Sequence, residues 1–277
     1  MQVRTPAVAG AFYPARKDEL TESIQSCFSH SFGPGSFPPA EKTSEIIGVI
    51  CPHAGYMYSG PVASNSFYAM SYEGKKMYII VGPNHWGIGS SVASVKDCMW
   101  ETPLGGVEVE SESAEKLSKI FKKLELDFFS HTREHSIEVQ IPMLQNIFTD
   151  FKILPISLID QSKQTAKELG AGIAKLCENT QAMIIGSSDF THYEPHDVAF
   201  EQDHALIEPI LNLDIDEFYE ILENRQVSAC GYGAIASTMV ACKKLGATKG
   251  KLLRYCTTGD ISGDKTSVVG YASIVFT

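Results

Sequence analysis

Short runs of apolar and β-branched residues alternate along this chain with longer amphipathic segments. Several runs are continuously apolar, as expected for strands of a sheet that helices cover on both faces. The alternation is typical of βα units and not of a sandwich or a helical bundle. The predicted strands are 46–51, 77–81, 152–158, 182–185, 251–256 and 268–276, and the predicted helices are 17–29, 61–70, 111–124, 136–148, 164–178, 201–211, 215–224 and 234–245. We therefore predict an α/β fold with a mixed, largely parallel central sheet and helices on both faces.

Length and composition predict a single domain over residues 1–277. Hydrophobic residues make up 44% of the 277 residues and charged residues 20%, which is ordinary for a globular protein with a sizeable core. One stretch, 30–44, is rich in Gly, Pro and Ser, but it lies too near the N-terminus to separate two domains.

Charge and cysteine content restrict the partners and the compartment. A formal net charge of -10 without a clustered basic face argues against nucleic-acid binding. No apolar run approaches the ~20 residues of a membrane-spanning helix, and the N-terminus carries no apolar signal core. The seven cysteines include no C-x-x-C pair, which favours a reducing compartment. We expect a cytoplasmic protein without nucleic-acid or membrane partners.

Three loops that follow apolar runs each carry a metal-ligating residue, namely His53, His85 and Cys230. In open α/β sheets, ligands bind outside the carboxyl ends of the strands, so these loops can converge although they lie far apart in sequence. Three protein ligands leave a coordination position for water or substrate, whereas a structural zinc site takes four. The sequence therefore predicts an open metal site.

Two further residues have the pattern of a general base. Asp189 and His192 follow the predicted strand 182–185 through a glycine–serine loop, and a carboxylate that orients an imidazole is the usual arrangement of such a base. Cys230 precedes a predicted helix, whose N-terminal dipole would favour the thiolate form.

Tyr58 and His135 are predicted to border the same pocket. Tyr58 lies in a glycine-flanked loop after His53, where it could orient a substrate or a water molecule. His131 and His135 stand four residues apart, a spacing that would suit a metal pair on a helix. The turn-like residues between them argue against such a pair, so His135 is expected only to line the cleft.

Six segments spread over the chain carry a family resemblance: 6–14 (PAVAGAFYP), 52–60 (PHAGYMYSG), 82–85 (GPNH), 134–138 (EHSIE), 187–193 (SSDFTHY) and 230–231 (CG). They resemble the Memo family, whose members are similar in fold to the class III extradiol dioxygenases of the LigB type. Together these segments are specific, although each alone is weak. The resemblance implies a LigB-dioxygenase-like α/β fold.

The resemblance also implies a mononuclear metal centre. It makes His53, His85 and Cys230 the ligands and puts Asp189 and His192 in the same pocket. The dioxygenase relatives hold ferrous iron through two histidines and a glutamate, and Cys230 stands here in place of that glutamate. Because a thiolate is a softer ligand, iron or copper is expected as the cofactor and zinc is compatible. A metal-dependent oxidoreductase of dioxygenase type is one implied activity.

Implied partners come from other members of the family. Microbial members are associated with a radical-SAM protein, which suggests a functional link. Animal members recognise phosphotyrosine motifs in a cleft whose positions here include Phe12, so a peptide is an alternative to a small-molecule ligand. Phe12, Tyr58 and His135 are the predicted binding-cleft residues.

Three functions stay open at this point. The first is redox or oxygen-dependent chemistry at a metal held by His53, His85 and Cys230, with His192 and Asp189 moving protons. The second is a metal-free thiol hydrolase with Cys230 as nucleophile and His192 as base, oriented by Asp189. The third is a non-catalytic cleft that binds a ligand or a peptide as an adaptor.

Overall fold

The strands of the computed structural model, which describes residues 1–38, 45–72, 74–178 and 180–277, form two sheets. The strands are β1 (Gln2–Arg4), β2 (Gly48–Cys51), β3 (Met77–Pro83), β4 (Val92–Ser94), β5 (Cys98–Thr102), β6 (Gly105–Glu108), β7 (Leu124–Leu126), β8 (Lys152–Leu158), β9 (Ala182–Ser187), β10 (His192–Glu194), β11 (Gly250–Thr257) and β12 (Val268–Phe276). The helices are α1 (Lys17–Ser29), α2 (Tyr56–Met70), α3 (Ser111–Ile120), α4 (Gln140–Ile147), α5 (Lys163–Cys177), α6 (His196–Leu211), α7 (Ile215–Asn224), α8 (Tyr232–Lys244) and α9 (Thr258–Ser262).

The large sheet has a parallel centre and antiparallel flanks. Its order is β10-β12-β2-β9-β3-β8-β4-β7, and β11 also pairs with β12. The central strands β2, β9, β3 and β8 run parallel, whereas β12 and β4 join them in the antiparallel direction. β1, β5 and β6 form a small second sheet. The prediction of an α/β fold with a mixed sheet is confirmed.

Helices cover both faces of the large sheet, as predicted. Along β3, Ile79 and Val81 pack into a core with α5 and α8, whereas Tyr78 and Ile80 pack into a core with α1 and α2. Because successive side chains of a strand point to opposite faces, one continuously apolar run serves both cores. Within the described ranges, no helix is both long enough and apolar enough to cross a bilayer.

Helix α2 begins earlier than predicted, and this changes the setting of Tyr58. The helix starts at Tyr56 rather than at residue 61, so Tyr58 lies in its first turn and the predicted loop there is wrong. Gly60, one of the two glycines that suggested the loop, instead allows two helices to pack closely. A Cβ at this position would lie 2.5 Å from the sulfur of Cys27 on α1.

Smaller differences concern element ends and short strands. α6 starts at His196, directly after Pro195, rather than at residue 201. α4 starts at Gln140 rather than at residue 136. The short strands β4 to β7 were not predicted because so few residues carry too little pattern. The end of the predicted loop 30–44, residues 39–44, lies outside the described residues.

The parallel centre of the sheet positions the candidate site. His53 follows β2, His85 follows β3 and Asp189 follows β9. Because these strands run parallel, their carboxyl ends meet at one edge of the sheet. The loop before α8 brings Cys230 to the same edge, where its sulfur accepts a hydrogen bond from the backbone N–H of Asp189 at 3.3 Å.

Candidate metal centre

His53 lies at the centre of the site, 1% exposed, and its hydrogen bonds fix its tautomer. Its Nδ1 atom is 2.9 Å from the hydroxyl of Ser187, and that hydroxyl donates its only proton to the carbonyl of Ser136 at 2.6 Å. Ser187 must therefore accept, and His53 Nδ1 must carry the proton. Nε2 therefore carries a lone pair, and this atom lies 3.1 Å from the sulfur of Cys230, where the thiol can donate to it.

His85 is held by Glu134, a residue that the sequence analysis did not single out. One carboxylate oxygen of Glu134 lies 2.9 Å from His85 Nδ1, and the other accepts the backbone N–H of His85 at 2.6 Å. Burial alone would raise the pKa of Glu134, but the hydrogen bond with His85 and the charges of His85 and His135 lower it to about 2. Ionised Glu134 accepts a hydrogen bond from the Nδ1–H of His85, so Nε2 is the ring nitrogen that Glu134 does not engage.

Three imidazoles converge at this point. His53, His85 and His135 offer ligand atoms that all lie within 4.8 Å of one another. Their ring centroids are 5.2 Å apart for His53 and His85, 5.4 Å for His53 and His135, and 4.6 Å for His85 and His135. His53 is buried, His135 is half-buried and His85 is exposed, so the cluster opens toward solvent.

The electrostatics keep two of these imidazoles neutral. Burial lowers the pKa of His53 well below its usual value, and positive charge on His135, His85 or His192 would lower it further. Burial also lowers the pKa of His135, to about 4, although the carboxylate of Glu134 opposes the shift. Neutral imidazole is the form that binds metal ions, so the cluster can accept a cation at neutral pH without first losing protons from these two residues.

A second group shares His53 with the first. His53, Asp189 and Cys230 also offer ligand atoms within 4.8 Å of one another. One carboxylate oxygen of Asp189 accepts the backbone N–H of His53 at 2.7 Å. Burial raises the pKa of Asp189 to about 6, although the His53 N–H and the His192 and His85 charges favour the ionised form. The predicted set of His53, His85 and Cys230 is thus divided between two overlapping groups.

The prediction that the N-terminus of α8 favours a Cys230 thiolate is not met. Cys230 is half-buried as a residue, but desolvation of its sulfur raises the pKa of the thiol, and the carboxylate of Asp189 raises it further. The hydrogen bond from the Asp189 N–H opposes this shift only partly. In the metal-free protein Cys230 is therefore a neutral thiol at physiological pH.

His192 borders the site but does not pair with Asp189 as predicted. It lies half-buried on β10, where its Nδ1 is 2.9 Å from the carbonyl of Ser228 and its backbone N–H donates to the Ser228 hydroxyl at 2.8 Å. The backbone carbonyl can only accept, so Nδ1 carries the proton and Nε2 is free. Ser228, not Asp189, orients this imidazole.

The three predicted cleft residues differ in their contacts. The ring of Phe12 packs at a tilt against that of His135, with 4.6 Å between ring centroids. Tyr58 packs partly buried against a small cluster that includes Cys256 and Tyr271. Phe12 therefore contacts the imidazole cluster directly, whereas Tyr58, in the first turn of α2, packs on that separate apolar cluster.

The residues that the sequence analysis missed are those that hold the imidazoles. Glu134 and Ser187 stand in the segments 134–138 and 187–193 that carry the family resemblance, so their proximity could have been noticed, but Ser228 carries no local signal. With the Nδ1 atoms directed at Ser187, Glu134 and Ser228, Nε2 is the nitrogen of each ring that these partners leave for a ligand, and imidazole nitrogens suit zinc, copper or iron. The residues present therefore fit a transition metal.

Comparison with known proteins gives full-length matches. A profile of the family described as Memo-like protein matches residues 4–275. A MEMO1 family protein of Nitrosopumilus maritimus is 54% identical over 275 residues, 99% of each chain. One of Methanocaldococcus jannaschii is 45% identical over 284 residues, again 99% of each chain. The solved structure of an uncharacterized protein from Escherichia coli K12 aligns over 84% of this chain and 100% of its own, with a TM-score of 0.56 at 12% identity, so the two proteins share a fold.

Proposed function

This chain belongs to the family of Memo-like proteins, and from that premise we propose that it binds one transition-metal ion at the cluster around His53. His85 and Cys230 are the other proposed ligands, and His135 is a further donor within the same 4.8 Å group as His85. The observation that carries the proposal is the hydrogen bonding of the two imidazole rings. His53 and His85 each direct Nδ1–H at a fixed acceptor, which leaves the Nε2 atoms for a metal ion.

Iron or copper is the proposed cofactor, and zinc is compatible with the same donors. Imidazole nitrogens suit all three metals, and a thiolate from Cys230 would strengthen the preference for a soft or borderline ion. When bound, the ion supplies Lewis-acid or redox chemistry. A cation beside Cys230 would also reverse the effect of burial and deprotonate the thiol.

The side chains around the cluster can bind and move protons. His192 keeps a free Nε2 and is half-buried, so it can take a proton from a ligand in the cleft. Asp189, with a pKa raised to about 6, changes its ionisation close to neutral pH. Exposed His85 leaves the site open on the side of solvent, where a small molecule has access. These features support a metal-dependent oxidoreductase.

The first test is the metal content of anaerobically purified protein, measured by elemental mass spectrometry. Wild type is compared with His53→Ala, His85→Ala, Cys230→Ser and His135→Ala. A matched control is His204→Ala, because His204 is another half-buried histidine but stacks on Phe200, outside both ligand groups. Near-stoichiometric iron or copper that is lost in the His53 and His85 variants and kept in the control supports the proposal. Wild type that stays metal-free after reconstitution overturns it.

A metal-free thiol enzyme is the second candidate, because the Cys230 sulfur lies 3.1 Å from His53 Nε2. This contact makes His53, rather than the predicted His192, the base nearest the nucleophile. Rapid alkylation of Cys230 by iodoacetamide at pH 7 in metal-free protein, abolished by His53→Ala, would favour this candidate. Slow alkylation is expected, since burial raises the pKa of the thiol. An adaptor role and a link to a radical-SAM protein stay predictions.

A further inference from the structure

Arg4 and Glu138 form a buried ion pair below the imidazole cluster. Arg4 is 1% exposed and Glu138 0%, and the guanidinium donates directly to a carboxylate oxygen. We name this pair the clasp. Burying two charges is costly, and apolar residues of similar volume often stabilise a core equally well. The clasp is therefore better explained by the chain segments that its hydrogen bonds hold in place than by a contribution to the stability of the fold.

The Arg4 side of the clasp holds the segment that delivers Glu134. Its Nε donates to the carbonyl of His131 at 3.0 Å, and a terminal nitrogen donates to the carbonyl of Glu134 at 2.5 Å. The guanidinium also lies over the ring of Trp100, 4.5 Å from its centroid. A planar fork with several donors can hold two carbonyls and a carboxylate at once, whereas a lysine ammonium cannot reproduce that geometry.

The Glu138 side holds the N-terminal segment that delivers Phe12. Its carboxylate accepts the backbone N–H groups of Ala7 at 2.8 Å and Val8 at 3.1 Å, and the hydroxyl of Tyr13 at 2.5 Å. The carbonyl of Phe12 in turn accepts the backbone N–H of α2's first residue at 2.7 Å. One carboxylate therefore fixes the segment from which the ring of Phe12 packs against His135.

We propose that Arg4 and Glu138 are positioning residues of the metal centre, acting on His85 through Glu134 and on His135 through Phe12. The inference rests on the proposed metal binding. The clasp joins residues 4–13 to residues 131–138, two segments that meet only in the folded chain. By holding the backbone carbonyl of Glu134, the clasp places its carboxylate where it accepts a hydrogen bond from the Nδ1–H of His85, so that Nε2 is the nitrogen left for a metal ion.

Three variants test the clasp without touching a proposed ligand. Arg4→Lys keeps the charge and loses the fork, Glu138→Gln removes the charge, and Tyr13→Phe removes one hydrogen bond at constant shape. Asp150→Asn is the matched control, because it breaks the exposed ion pair of Lys76 and Asp150. Tyr13→Phe keeps the test valid if a variant of the buried pair fails to fold. Folding of each variant is verified by its urea unfolding curve.

Two measurements separate positioning from folding. Zinc affinity, obtained by competition with a chromogenic chelator, should fall about 10-fold or more in Arg4→Lys and Glu138→Gln, as for outer-shell partners of metal ligands, and less in Tyr13→Phe. The tautomer of His85, read from histidine nitrogen NMR spectra of metal-free protein, should shift away from the Nδ1–H form in the same order. The control should match wild type in both.

The outcomes distinguish this inference from the proposed function. Lower affinity together with the tautomer shift supports the clasp as a positioning device. Folded variants with an unchanged His85 tautomer overturn it, whatever their zinc affinity. Wild type that binds no zinc overturns the proposed metal binding, and the tautomer measurement then still decides whether the clasp positions His85.

Discussion

The imidazole of His131 should make the protein sensitive to mild acid. His131 is 0% exposed, and neither ring nitrogen makes a hydrogen bond of normal geometry within the described part of the chain. Burial and, after it, the charge of Arg4 lower its pKa from 6.5 to about 4, although the backbone of Ser94 and the carboxylates of Asp127 and Glu134 oppose the shift. Between pH 6.5 and 4, the unfolded chain therefore binds a proton that the folded protein excludes.

The sign and size of the effect follow from this difference. Because the unfolded state binds more protons in that window, the free energy of unfolding falls as the pH falls. From pH 7 to pH 4.5, a shift of this size removes about 2 kcal/mol of stability. The substitution His131→Leu removes the titrating group and leaves behind no hydrogen bond of normal geometry, so it should cut the acid-induced loss by that amount.

The assay is urea unfolding of wild type and His131→Leu at pH 7 and pH 4.5, followed by circular dichroism. Any packing change caused by leucine is present at both pH values and cancels when each protein is compared with itself. Equal losses of stability in the two proteins would refute the reasoning, because His131 would then take up its proton without unfolding.

Three other predictions concern the carboxylate of Glu134, the strained backbone of Tyr193 and the close packing at Gly231. Glu134→Gln should weaken zinc binding about 10- to 100-fold by chelator competition, because an amide offers only one oxygen to the two donors of His85; unchanged affinity would contradict this. Tyr193 has a φ of 63°, so Tyr193→Gly should be about 1 kcal/mol more stable than Tyr193→Ala in urea, and equal midpoints would contradict strain. Gly231→Ala should cost about 1–3 kcal/mol, because its Cβ would lie 2.4 Å from the Ser187 carbonyl oxygen; a neutral effect in thermal unfolding would show that the loop yields.

Strands and helices with long apolar patterns could be predicted from the sequence. β3, β8 and β12 were anticipated because their runs are continuous, and α5 because its apolar face repeats with helical period. α2 was shortened because Gly60 was interpreted as a loop residue, whereas it serves close packing with α1. Local pattern cannot distinguish these two uses of glycine, since only the partner helix decides between them.

The candidate site was predicted less completely than the fold. His53, His85 and Asp189 were found because each follows a strand, and parallel strands bring such residues together. Glu134 was missed because its role depends on where the chain returns to His85, 49 residues earlier in sequence. The helix-dipole argument for Cys230 left out two effects that only the folded chain shows, because burial of the sulfur and the nearby carboxylate of Asp189 both raise the pKa of the thiol.

The spacing of the site residues along the chain has a consequence for biosynthesis. His53 Nε2 and the Cys230 sulfur are separated by 177 residues, and β2, which precedes His53, pairs with β12 near the end of the chain. Because a protein emerges from the ribosome from its N-terminus, the first histidine of the cluster is synthesised long before its cysteine partner. The proposed metal, if bound through Cys230, would therefore be captured only after residue 230 has been synthesised, and a chain truncated before that residue would lack the sulfur ligand.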